Sequence, residues 1–183
     1  NSIIGFTGVM LMGIAGPLNE EQRKQLTMVK ESADHLLRLI NDVLDISRIE
    51  ANRVELAIEE FDFGAVVAEV LRALQPAAST KGLELLSDVP DGIRVRSDRR
   101  RIRQVLTNLV GNAVKFTEQG TVRVSTRTPG DGALEVVVID TGPGIQEEDM
   151  RRLFQPFQQV SPLLTRKHEG TGLGLYLTRK LAD

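Results

Sequence analysis

The chain has 183 residues, 41% of them hydrophobic, with 23 basic and 25 acidic side chains, a net charge of −2 and no cysteine. That length and apolar content are enough to bury the core of one domain and to carry a helical extension. The near-neutral balance lacks the basic excess of a nucleic-acid binder, and the missing cysteines exclude a disulfide framework or a thiolate metal site and fit a reducing compartment.

The first organised unit reads as a helical hairpin. Residues 1 to about 12 form the end of a helix that GIAGP breaks through Gly13, Gly16 and Pro17. Asn19 then caps a second helix whose first turn carries Glu20 and Glu21, favourable against the helix dipole. Leu26, Val29, Ala33, Leu36, Ile40, Val43 and Ser47 follow alternating steps of three and four, and Leu37 and Leu44 widen the stripe into a bundle seam. Two helices leave one side of such a seam wet. Two copies forming a four-helix bundle cover it; the alternative is that the hairpin packs on its own downstream domain. No apolar run reaches bilayer length and no signal peptide is visible, so no membrane contact is expected of this stretch.

From about Val54 the heptad spacing gives way to VELAIEEFDF, a predicted strand, followed by a helix from about Phe63 to Thr80. LELLSDV and IRVRS read as strands separated by the turn residues Pro90, Asp91 and Gly92, and Asp98 is placed to cap the next helix. TVRVSTRT and ALEVVVID, joined by PGDG, read as a β-hairpin, with LEVVVID a strand buried on both faces. Beyond it IQEEDMRRLF looks helical, and QPFQQVSPLLTRKHE is proline-interrupted and reads as a mobile loop. The fold class is α+β: a helical hairpin over residues 1–53, then an α/β sandwich over residues 54–183 with helices over a mixed sheet.

Three short boxes stand out in the second half. Around NLVGNAVKF, Val105 just before it and Leu109, Ala113 and Phe116 within it mark an apolar helix face, and Asn108, Asn112 and Lys115 recur at i, i+4 and i+7 on one stripe. Two amides and an ammonium suit a hydrated metal and phosphate oxygens, or equally a solvated helix face. In DTGPG, Asp140 ends a strand and Gly142 and Gly144 flank Pro143 in a turn; the carboxylate suits an exocyclic amine such as that of adenine, or simply caps the turn. In GTGLGL, Gly170, Gly172 and Gly174 precede a helical LYLTRKLA, so backbone amides there could face an anion. No GxxxxGK[ST] loop occurs, and GTGLGL is not GxGxxG and follows RKHE instead of a strand.

The order of these boxes carries a resemblance. Asn108 to Phe116 resembles the N box, Asp140 to Gly144 the G1 box, Phe154 to Phe157 (FQPF) the F box and Gly170 to Leu175 the G2 box of sensor histidine kinases. Related boxes occur in the wider ATPase group shared with the Hsp90, gyrase B and MutL families. SADHLLRLINDVLDISRIEAN resembles the second helix of a histidine kinase dimerisation domain, which selects the kinase branch.

The resemblance implies a dimeric four-helix bundle, an ATP-binding domain of the histidine kinase/Hsp90-like type, and ATP and Mg²⁺ as cofactors. Asn112 would coordinate Mg²⁺, Asn108 support the metal and phosphates, and Lys115 contact phosphate. Asp140 would read the adenine amino group, with Gly142 and Gly144 letting the base slide against backbone. Phe154 and Phe157 would anchor the ATP lid, and Gly170, Gly172 and Gly174, with Thr171 and Leu173 between them, would form its hinge and phosphate-facing amides. The γ-phosphoryl group would pass to a histidine and then to the receiver domain of a response regulator, in a cytoplasmic setting that leaves open a membrane anchor elsewhere in the parent protein; no nucleic acid is implied.

The family's acceptor box would end at the opening NSIIGFT, so the accepting histidine and its neighbouring acid are expected upstream of Asn1, and the last helix and strand pair beyond Asp183. His35 reads as structural or surface, and His168 as a solvated residue of the lid. Two other readings stand beside the kinase: a non-catalytic signalling module, against which the intact boxes speak, and an ATPase of the chaperone or DNA-repair branch, against which LLRLINDVLDISRIE speaks.

Overall fold

The glycine-rich break separates two helices in the computed structural model, which describes residues 2–51, 55–130, 132–150, 152–158 and 171–182. Helix α1 spans Ser2–Leu11 and α2 spans Glu20–Glu50. Asn19 caps α2 as expected, and reciprocally: the Gln22 amide donates to Asn19 Oδ1 at 2.8 Å and the Asn19 amide to Gln22 Oε1 at 3.0 Å. Amides that a first helical turn leaves open are thereby satisfied. Arg23 Nη1 donates to the Leu11 carbonyl at 3.1 Å, tying the end of α1 to the start of α2. The seam stays open to solvent: α2 has no buried residue, and Leu36, Ile40, Val43 and Leu44 are 43–56% exposed.

The chain divides after Glu50, and the second unit is an α/β fold. Strand β1 (Ile58–Asp62) is shorter than the run that suggested it, residues 52–54 lying outside those described. Asp62 Oδ1 accepts from the Ala65 amide at 3.1 Å and so starts α3 (Phe63–Thr80) at the expected residue. There follow β2 (Glu84–Asp88), β3 (Arg94–Asp98), α4 (Arg99–Phe116), β4 (Thr121–Arg127), β5 (Glu135–Asp140), α5 (Glu147–Met150) and α6 (Gly174–Ala182).

Among the described residues the strands form two sheets, not one mixed sheet. β1 pairs antiparallel with β3, Ile58 opposite Asp98. In the other sheet β4 lies centrally, parallel to β2 with Glu84 opposite Thr121, and antiparallel to β5 with Val122 opposite Asp140. The turn at Pro90–Gly92 therefore joins strands of different sheets. A parallel pair needs a long crossover, and the chain supplies it through β3 and α4.

The core lies between the helices α3 and α4 and the strands. Phe61, Phe63, Val66, Val67 and Val70 meet Leu106, Val110, Ala113 and Val114 of α4 and Val122 and Val124 of β4. Two expectations are corrected. The buried face of α4 centres on Leu106, Val110, Ala113 and Val114, while Val105, Leu109 and Phe116 are half-buried. Helix α4 packs on α3, the sheet and α6, which turns its fully covered face by one residue. Strand β5 is not buried on both faces: Val136 to Val138 are half-buried and Ile139 and Asp140 exposed, and among the described strands β5 pairs with β4 alone.

Candidate functional site

Helix α4 is the spine of the site, and it is held at both ends. At its start Asp98, buried to 2% exposure, accepts from the amides of Arg100 at 2.9 Å and Arg101 at 3.2 Å through Oδ1. Its Oδ2 accepts from the Ala57 amide at 3.0 Å. Burial pushes the carboxyl pKa up, but these backbone hydrogen bonds, with the Arg100 guanidinium, outweigh it and hold the group below the ordinary aspartate value. At the other end Lys81, the C-cap of α3, donates Nζ to the carbonyls of Val114 at 2.9 Å, Lys115 at 2.6 Å and Thr117 at 3.1 Å. A cation on the last carbonyls satisfies orphan acceptors and opposes the helix dipole.

Asn108, Asn112 and Lys115 are all half-buried on α4. Asn108 Nδ2 donates to Thr178 Oγ1 at 2.6 Å, which joins the middle of α4 to α6. Helix α6 begins at Gly174, where any Cβ would run into the Asn108 amide. The Lys115 ammonium lies 4.8 Å from the centroid of the Phe116 ring, and burial holds its pKa below the ordinary lysine value.

The second box meets the end of α4. The Gly142 amide donates to Asp140 Oδ1 at 2.8 Å, closing the turn. A Cβ on Gly142 would lie 2.7 Å from Asp140 Oδ1 and 3.3 Å from Thr117 Oγ1, so a larger residue there would displace the Asp140 carboxylate. Gly144 follows at φ +73°. Thr141 Oγ1 accepts from the Thr121 amide at 3.0 Å, fastening the turn to β4.

In the third box Thr171 Oγ1 accepts from the Leu173 amide at 3.1 Å, and Leu173 is 1% exposed, its carbonyl accepting from Leu177 at 2.8 Å. Gly172 adopts φ +68°, and its carbonyl accepts from the Phe157 amide at 3.1 Å. Gly170 and His168 lie among residues 159–170, which are outside the described residues. Phe154 is 39% and Phe157 68% exposed, and the lid that they are expected to anchor falls outside the described residues. Phe157 has a left-handed backbone (φ +60°), and its amide meets the glycine box. His35 is half-buried on α2.

Boxes separated by up to 70 residues thus gather along α4: Asn108 with Gly174 and Thr178, and the helix end with Gly142 and Asp140. Thr178, Thr117 and Lys81 were not anticipated. Thr178 was open to discovery, because it follows Gly174 by four residues and shares its helix face. Thr117 and Lys81 carry no local signal, since both are defined by contacts across the fold.

Residues 1–52 match the family model described as His Kinase A (phospho-acceptor) domain, and residues 97–183 that described as Histidine kinase-, DNA gyrase B-, and HSP90-like ATPase. A solved structure of the Acinetobacter baumannii histidine kinase AdeS is 31% identical, with a TM-score of 0.70 over 98% of this chain and 82% of that one. The chain belongs to the histidine kinase family. Two further histidine-kinase likenesses extend over nearly all of it. The histidine protein kinase DivJ of Caulobacter vibrioides is 43% identical over 100% of this chain and 31% of its own length. The crystal structure of full-length ShkA in complex with AMPPNP is 35% identical, with a TM-score of 0.79 over 99% of this chain and 38% of that one. This histidine kinase chain spans about a third or less of the length of the curated relatives it matches.

Proposed function

We propose that this chain is the dimerisation and ATP-binding core of a sensor histidine kinase, in which residues along α4, the Asp140 turn and the Gly172–Gly174 segment bind Mg-ATP. The observation that carries the reading is the convergence of the boxes on α4: Asn108 bonded to Thr178 beside Gly174, and the helix end packed under the Asp140–Gly142 turn. In this reading Asp140, whose Oδ1 closes its own turn, keeps Oδ2 to accept from the adenine amino group, and Gly142 and Gly144 let backbone approach the base. Lys115, already destabilised as a cation by burial, gains from a phosphate beside it.

The residues fit Mg²⁺. Among the described residues no three His, Cys, Asp or Glu side chains are grouped to hold a metal. A cation at the Asn112 amide oxygen would take its other ligands from phosphate and water, which is the habit of Mg²⁺. Bound there, the ion would neutralise phosphate charge during in-line transfer, where positioning and electrostatics carry most of the catalysis. The phosphoryl group would pass to the acceptor histidine expected upstream of Asn1, and not to His35 on α2, then to an aspartate of a response-regulator receiver domain. The solvent-facing seam of α2 supports a homodimer through the hairpin. No helix among the described residues is long and apolar enough to cross a membrane. A cytoplasmic setting belongs to the proposal.

Titration of nucleotide into the chain tests the site. Asp140→Asn weakens ATP binding by about tenfold or more, the loss of a charge-assisted hydrogen bond, and Asn112→Ala removes the Mg²⁺ dependence of binding. Unchanged Mg-ATP affinity in both variants sinks the assignment. Transfer is tested with γ-labelled ATP on this chain and on one extended upstream through the expected acceptor box; acid-labile, base-stable label on the extended chain alone supports the kinase, and label on neither favours the non-catalytic module.

A further inference from the structure

Helix α4 opens with Arg99, Arg100 and Arg101, has Arg103 in its second turn, and carries no acidic residue in its first. Cations near a helix N-terminus oppose the positive end of its dipole, so this charge needs a reason outside the helix. Two of the four have one. The Arg99 guanidinium pairs with Glu69 of α3, and Arg101 Nη1 donates to Gln104 Oε1 at 2.8 Å. Arg100, its side chain 70% exposed, reaches the Asp98 carboxylate only at 3.5 Å, where three backbone amides already bond. Arg103 is exposed and pairs with no acidic residue among those described.

These two arginines edge a groove. Arg100, Arg103, Gln104 and Thr107 recur at i, i+3, i+4 and i+7 and so share one face of α4. With Glu69, Val70 and Ala73 of α3 they line an open space of about 490 Å³ between the two helices. Val70 and Ala73 make the α3 side apolar, and Arg99 offsets the charge of Glu69. Around α4 this face is turned by about 100° from Asn108, Asn112 and Lys115, so the groove is separate from the candidate nucleotide site.

An apolar strip edged by two exposed arginines over two helical turns selects its occupant. A small anion would meet the guanidinium groups in water and leave the strip uncovered, and exposed ion pairs contribute little alone. Nucleic acid calls for a basic surface, whereas the net charge of the chain is −2. A helix laid between α3 and α4 uses both features. Apolar residues at i, i+3 and i+4 cover Val70 and Ala73, and carboxylates beside them meet Arg100 and Arg103 in charge-assisted pairs.

We propose that the groove between α3 and α4 is a docking surface for an acidic amphipathic helix of a partner protein, with Arg100 and Arg103 as its charge contacts. Docking there does not require nucleotide, so the surface stands apart from the ATP-site reading.

The probe is a fluorescein-labelled amphipathic peptide of about 18 residues, five helical turns, with glutamates flanking a leucine and alanine stripe. Fluorescence anisotropy follows its binding to the whole chain as wild type, Arg103→Glu and Ala73→Trp, with urea unfolding of each. A scrambled peptide and one with lysine in place of glutamate serve as comparisons. Arg103→Glu and Ala73→Trp are each expected to bind the acidic peptide about tenfold more weakly or worse without a lower urea midpoint. Arg103→Glu binds the lysine peptide more tightly than the wild type does. Affinity that neither substitution changes puts the peptide elsewhere, the open seam of α2 included, and overturns the proposal. Equal affinity for the scrambled peptide also overturns it, by reducing the contact to charge alone. So does an absence of binding up to about 1 mM peptide at physiological salt.

Discussion

The Asp98 carboxylate accepts from the amides of Ala57, Arg100 and Arg101, and so joins the segment before β1 to the first turn of α4. Asp98→Ala removes a helix cap and strands a further amide, an expected cost of about 2–3 kcal/mol in urea unfolding. Its pH dependence has a definite sign. The folded carboxyl titrates below its unfolded value, which is about 3.9 for a free aspartate. As pH falls, the unfolded chain therefore takes up the proton first. The contribution of Asp98 is fully present above about pH 4 and is lost as pH falls through the lower folded pKa. Urea midpoints measured from pH 5 down to pH 2 should fall less steeply in Asp98→Ala than in the wild type. The cap was legible from the sequence because capping is a local matter. The bond to Ala57, 41 residues away, was not.

At the level of elements, α4 depends on a lysine from another helix. Lys81 covers three carbonyls at the end that carries Lys115 and Thr117, and a partly buried cation at a helix C-terminus contributes up to about 2 kcal/mol. Lys81→Met is expected to destabilise the second unit by about 1–2 kcal/mol, read as a lowered urea midpoint. Hydrogen exchange should rise first in the last turn of α4. An unchanged midpoint would mean that solvent satisfies those carbonyls as well as Lys81 does. The elements themselves were largely readable: α3 has its predicted ends, and the β4–β5 hairpin follows from alternation and its glycine turn. The partners of the strands were not. β2 and β3 flank an ordinary turn signal yet belong to different sheets, because a turn sets chain reversal and long-range burial sets pairing.

Across the whole molecule, the hairpin and the α/β unit pose different packing problems. The second unit buries its own core. The hairpin leaves Leu36, Leu37, Ile40, Val43 and Leu44 at least 36% exposed along 31 residues of α2, an apolar stripe of the kind that marks an interface. Replacing Leu36 and Ile40 by glutamine should lower the dimer fraction in sedimentation at micromolar concentration while leaving ATP affinity of the second unit within about twofold, as expected for distant sites. A wild-type chain that sediments as a monomer would refute the four-helix bundle.

Much of this protein was determined by the sequence alone. Helical seam, strand alternation, caps and the four ordered boxes are patterns of near neighbours, and the boxes were sufficient to indicate the family. Which face of α4 is buried, that β4 lies between β2 and β5, that the Phe157 amide donates to the Gly172 carbonyl, and that Lys81, Thr117 and Thr178 gather at α4 were decided only by the tertiary structure. The physical reason is range. A periodic pattern reports the one surface a segment prefers to bury, whereas α4 is enclosed by α3, a sheet and α6 at once, and its final orientation balances contacts that no short window of the chain contains.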